Sequence, residues 1–130
     1  MTPRHRQVID VPGLAHGANP IPTAVRVGNM VFSSGILGMD PATGKIDPDP
    51  ARQVERVFGY MRAIVEGAGG TTADIALVQF RIQGDEVRGL VNEHWLELFP
   101  DEASRPARNS VVEELGWGMV IHVMMTAVLK

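Results

Sequence analysis

Helical periodicity is clearest in the middle of the chain. Ala51, Val54, Val57, Phe58, Met61, Ile64, Val65 and Ala68 recur at spacings of three and four, while Arg52, Glu55, Arg56, Arg62 and Glu66 point elsewhere. Such a stripe buries one side of a helix and leaves the other in water. Pro48, Asp49 and Pro50 precede it, and Gly67, Gly69 and Gly70 supply the stop. A second helix, over about residues 85–99, carries Val87, Leu90, Val91, His94, Trp95 and Leu98 on its apolar side and ends at Pro100.

The remaining apolar runs follow a period of two. Residues 7–11 read as a short strand ending at Pro12 and Gly13. Residues 14–22 hold Gly17, Pro20 and Pro22 and fit neither a helix nor a central strand. Residues 23–27 and 30–34 flank Gly28 and Asn29, a pair that accepts the positive φ of a hairpin turn. Residues 35–44 read as an irregular loop, with Pro41 and Gly44 marking a turn. In residues 74–82, Ala76, Val78, Phe80 and Ile82 share one face, opposite Gln79 and Arg81. Residues 107–112 and 120–129 are the last strands, separated by Gly116, Trp117 and Gly118.

The predicted order, β-β-β-α-β-α-β-β, describes a single α+β domain over residues 1–130, a mixed sheet with both helices on one face. The other sheet face is then uncovered. In the last strand Ile121, Val123, Met125, Ala127 and Leu129 alternate with Val120, Met124 and Val128, so both faces are largely apolar. A strand buried on both sides in a sheet covered on one side calls for a partner subunit.

Composition narrows the function. A chain of 130 residues with 45% hydrophobic and 21% charged positions has enough apolar content for one core. Its net charge of -3 disfavours a nucleic-acid binder that works by neutralising phosphates. Without cysteine there is no thiolate nucleophile or zinc–thiolate site, and the four histidines show no ligand spacing. No run approaches the ~20 apolar residues of a membrane span, and the opening MTPRHRQVID lacks a leader's apolar core. The expectation is a cytoplasmic protein that uses no metal.

Three segments resemble the Rid (YjgF-type) family: VGNMVFSSGILGMDPATGKI over residues 27–46, AIVEGAGGTTADIALVQFRI over 63–82, and the VNEHW…FP…SRPARNSV pattern over 91–111. Together they span nearly the whole chain in the family's order. The resemblance implies a chorismate-mutase-like fold, a homotrimer with ligand sites between subunits, and no cofactor. It also implies hydrolysis of an enamine or imine carboxylate, of the 2-aminoacrylate or aminomuconate type, to an oxo acid and ammonia.

Residue by residue, the resemblance places Arg108 as the group that grips the substrate carboxylate, a task that suits a planar guanidinium fork. On bare sequence Arg108 reads instead as an ion-pair partner of Glu113 or Glu114. Ser110, Ser34, Gly35 and Asn92 match positions that wall the family's pocket. For Ser34 the bland alternative is a hydroxyl capping a strand end, and for Asn92 a solvent-facing helical residue. Ile21 stands where archetypal members carry a tyrosine. His122, allowing one gap, stands where they carry an acid that holds the attacking water. Histidine is able to orient or deprotonate water near neutral pH, although a lone histidine in an apolar strand is often a core residue. His16 and Asn19 are within reach of the same cleft. The replacements at Ile21 and His122 predict a substrate larger or more acidic than small imino acids. The alternatives are a non-catalytic trimer that binds a small metabolite and, disfavoured by charge, a ribonuclease.

Overall fold

The computed structural model describes residues 5–130; residues 1–4, within the opening segment considered for a leader, lie outside the described residues. The strands are β1 (Gln7–Ile9), β2 (Ala24–Val27), β3 (Met30–Ser33), β4 (Ile36–Leu37), β5 (Met39–Asp40), β6 (Lys45–Ile46), β7 (Ile75–Ile82), β8 (Ala107–Val112) and β9 (Ile121–Val128). The helices are α1 (Pro50–Gly67) and α2 (Asp85–Leu98). The main sheet runs β1-β2-β3-β9-β7-β8, with β4 also paired to β9, and β5 and β6 form a separate small hairpin. All pairs are antiparallel except β7 with β8. This is the predicted α+β architecture.

Apolar periodicity explains the core. Val54, Val57, Met61, Ile64 and Val65 of α1 are fully enclosed, as are Val31, Ile36, Val78, Phe80, Ile82, Ile121, Val123 and Ala127 of the sheet. Each of these side chains except Ala127 contributes roughly 1.5–3 kcal/mol of transfer free energy. The opposite sheet face is open. Val8, Met30, Phe32, Met124 and Val128 are between 37% and 60% exposed there, as the two-sided pattern of the last strand predicts.

Three local features differ from the sequence reading. Residues 35–44 hold β4 and β5, each of two residues and so too short to show a period. On α1, Ala51 is exposed and Gln53 is buried. The Gln53 amide donates to the carbonyls of Asp47 and Gly118 and accepts from the Val120 N–H, so its burial is satisfied. On β7, Ala76 is exposed and Ile75 buried, because a bulge between Ile75 and Leu77 reverses the alternation.

A kink separates β3 from β4. β3 leaves β9 after the Phe32–Thr126 pair, and β4 rejoins it at the Ile36–Val123 pair. The Met125 N–H stranded between them donates to Ser33 Oγ at 2.8 Å. The strand-end hydroxyl is therefore Ser33, not Ser34, and Ser34 and Gly35 are left in the bend.

Candidate functional site: two half-sites on opposite sheet faces

Strand alternation decides where each candidate side chain goes. Arg108 pairs in register with Val78 and Ser110 with Phe80, so both point to the helix-covered face at the β8 edge. There the Arg108 guanidinium lies 5.2 Å from the centre of the Phe80 ring and 5.1 Å from that of Trp95 on α2. These are cation–π distances. Arg108 Nε donates to Ser110 Oγ at 3.4 Å. Among the described residues Arg108 forms no ion pair. Glu113 pairs instead with Arg81 at 3.4 Å, which removes the bland alternative for Arg108. Burial first, and then the nearby positive charge of Arg88, pull the Arg108 pKa down. Asn92 is exposed on α2, one turn before Trp95 on the same helix face.

His122 is on the other face. It pairs in register with Arg81 on one side and Leu37 on the other, and it is half-buried. Its ring presses on Gly35. A Cβ built on Gly35 would lie 2.5 Å from His122 Nε2, so the glycine is required for this close approach. The His16 Nε2 is 2.7 Å from the Gly35 carbonyl, which ties the loop before β2 to the same bend. Burial, and next the charge of Arg81, lower the His122 pKa and favour the neutral imidazole.

Beside His16 opens a cleft of about 490 Å³ lined by Asn19, Leu37, Ile46, Trp117 and Met119. Trp117 stands at its rim, 90% exposed and at a positive φ of 64°. A larger cleft of about 690 Å³ runs along α1 past Arg52, Tyr60 and Pro41 and includes none of the candidate residues. Volume alone does not locate the chemistry here. Ile21 lies in the loop ahead of β2, 48% exposed.

Within one chain, then, Arg108 and Ser110 come together, with Asn92 exposed on α2 one turn before Trp95, and Gly35, His122 and His16 come together, with Ser34 in the same bend. The two groups face away from each other. Sequence reading missed Phe80, Trp95 and Arg88 as neighbours of Arg108; the i, i+4, i+7 spacing of Arg88, Asn92 and Trp95 was the available signal. Among the described residues no set of three or more His, Asp or Glu side chains gathers to hold a metal. No helix among them is long and apolar enough to cross a membrane.

Fold and side chains together define an α+β protein with a partly buried arginine beside two aromatic rings at one sheet edge and a half-buried histidine on the far face. The family model described as Endoribonuclease L-PSP matches residues 15–129, and the chain belongs to that family. Among its relatives is a 2-iminobutanoate/2-iminopropanoate deaminase of Dermatophagoides farinae, 30% identical over 107 residues, 82% of each chain. RidA from an Antarctic Psychrobacter is similar in structure, with 29% identity and a TM-score of 0.83, covering 95% of this chain and 99% of that one. So is Escherichia coli TdcF with bound serine, with 25% identity, a TM-score of 0.84 and the same coverage.

Proposed function

We propose that the protein hydrolyses an imine or enamine carboxylate to an oxo acid and ammonia, at a site formed between two copies of the chain. One copy supplies Arg108 with Ser110 and Asn92; the next supplies Ser34, Gly35, His122 and Ile21. The observation that carries this reading is the Arg108 guanidinium, within cation–π distance of both the Phe80 and Trp95 rings and free of any acidic partner among the described residues. A fork held this way is ready to take a carboxylate bidentately. The relative named as an imine deaminase and the serine-bound relative support a ligand of amino-acid type.

In this mechanism Arg108 fixes the carboxylate and withdraws charge from the adjacent C=N carbon. An enamine first tautomerises to the imine, gaining a proton on carbon and losing one from nitrogen. Neutral His122 accepts a proton from water as its oxygen bonds to that carbon. The imidazolium returns that proton to nitrogen, which gives the carbinolamine. His122 then carries the hydroxyl proton to nitrogen, and as C=O forms the C–N bond breaks and ammonia leaves. Neither metal nor organic cofactor enters this scheme. The net charge of -3 suits a small anionic ligand met by one local cation better than a polyphosphate backbone.

The test is release of ammonia from an imino acid made in situ by an amino-acid oxidase. Wild type should accelerate it. Arg108→Ala should lose both binding and turnover, because a partly buried charge-assisted contact is worth on the order of 2–5 kcal/mol. Arg108→Lys should rescue little, since a point charge does not reproduce the fork. A folded Arg108→Ala variant with unchanged affinity and turnover would sink the assignment. Ligand affinity without turnover in wild type would favour the metabolite-binding alternative.

A further inference from the structure

The Arg108 half-site holds a second cation that the proposed reaction does not use. Arg88 lies on α2 one turn before Asn92 and two turns before Trp95, on the helix face turned towards β8. The Arg108 guanidinium extends along β8 towards Ser110, with Nε 3.4 Å from Ser110 Oγ, and so reaches towards the end of β7 from which α2 starts. Arg88 Nε is enclosed and has no hydrogen-bond partner. Among the described residues the guanidinium meets an acid only at 3.9 Å, through Asp85, whose side chain is 91% exposed beside 43% for Arg88 itself. Such a contact, at the edge of ion-pair range and open to water, neutralises little.

Two guanidinium groups thus share one edge of the protein with no carboxylate held between them among the described residues. The field of Arg88 is felt at Arg108, where it lowers the pKa. With 43% of the Arg88 side chain exposed, the repulsion is only partly screened, and an anion that joins the two guanidinium groups relieves it. A monocarboxylate would neutralise one of the two. We propose that Arg88 is a second anion-binding residue and that the substrate is an imine or enamine bearing two carboxylates, one gripped by Arg108 and the other by Arg88. This rests on the carboxylate role proposed for Arg108. It follows that discrimination between mono- and dicarboxylates resides in α2, apart from the groups that handle water.

The experiment uses stable oxo acids of matched length, 2-oxoglutarate and 2-oxopentanoate, titrated calorimetrically into the assembled protein. Wild type should bind the diacid about tenfold or more tightly than the monoacid, with the preference shrinking as salt rises. Arg88→Met, which keeps the apolar stem, should erase the preference while leaving 2-oxopentanoate affinity in place. Arg88→Lys should retain part of it. If Arg88→Met weakens both acids equally, Arg88 grips the same carboxylate as Arg108 and the diacid reading is wrong. Equal binding of the two acids by wild type, with both lost in Arg108→Ala, would overturn the Arg88 role alone. Undiminished binding of both in Arg108→Ala would remove the site itself, and this inference with it. Thermal melts of each variant separate a lost contact from a lost fold.

Discussion

Burial first, and next the charge of Arg81, lower the His122 pKa and favour the neutral imidazole, against a smaller opposing pull from Glu113. The lowered pKa sets the sign of the pH dependence. The neutral form, competent to take a proton, is present above that pKa and lost as pH falls through it. Turnover should therefore fade on the acid side of the ordinary histidine value of 6.5. Arg81→Met removes a repelling charge, raises the His122 pKa and should move the acid limb to higher pH. His122→Ala should lower kcat ~10²–10⁴-fold with ligand affinity kept, the range for a positioned acid–base group. His122→Glu restores the acid of archetypal relatives and should raise turnover of small imino acids. An unchanged kcat in a folded His122→Ala trimer would return the histidine to a packing role. Of these residues, sequence singled out His122 and Gly35, but not the ring of one pressing on the backbone of the other.

Among the elements, α1 is tied to the last strand through Gln53. Its amide holds the Asp47 and Gly118 carbonyls and the Val120 N–H, which fixes the 116–118 turn just ahead of His122. Gly38 packs so closely on Gln53 that a Cβ there would lie 2.6 Å from its Cα and Cβ. Gln53→Leu keeps the volume but strands the buried Asp47 carbonyl, at a cost of about 1–3 kcal/mol, and frees two part-buried backbone groups, the Gly118 carbonyl and the Val120 N–H. The Tm should drop by several degrees, and turnover should fall more than ligand affinity as His122 shifts. A Gln53→Leu variant as stable as wild type would show that water replaces the amide. Hydrophobic patterning assigns a buried polar residue to the outside of a helix, which is why Gln53 escaped it.

At the scale of the whole molecule, the two half-sites lie on different surfaces of the chain. A two-fold dimer joins like to like, whereas one surface meeting a different surface closes into a ring or runs on as a filament. The open face with Met30, Phe32, Met124 and Val128 supplies the apolar area for such a contact. The family resemblance makes a trimer the expected ring, and light scattering should then give about three times the 14.1 kDa chain mass. Hybrids are the sharper test. Arg108→Ala and His122→Ala chains, each inactive alone, should regain activity when refolded together, because roughly a quarter of randomly mixed interfaces pair an intact Arg108 with an intact His122. No recovery in mixed oligomers would mean that the two residues do not meet across an interface.

The sequence by itself determined the helices, the long strands and the apolar excess on the last strand, because period and turn chemistry are local properties of neighbouring residues. Through spaced segments it also pointed to Arg108, Ser110, Asn92, Ser34 and Gly35, and through the last strand, allowing one gap, to His122. Only the tertiary structure decided which of these share a surface. Strand pairing set Arg108 beside Val78 on one face and His122 beside Arg81 on the other, and register is a relation between residues far apart in the chain. The same pairing placed Phe80 and Trp95 around the Arg108 guanidinium, and the bulge at Ile75 reversed an alternation that read smoothly as sequence. A side chain's type is fixed by the sequence; what it faces is fixed when the strands pair.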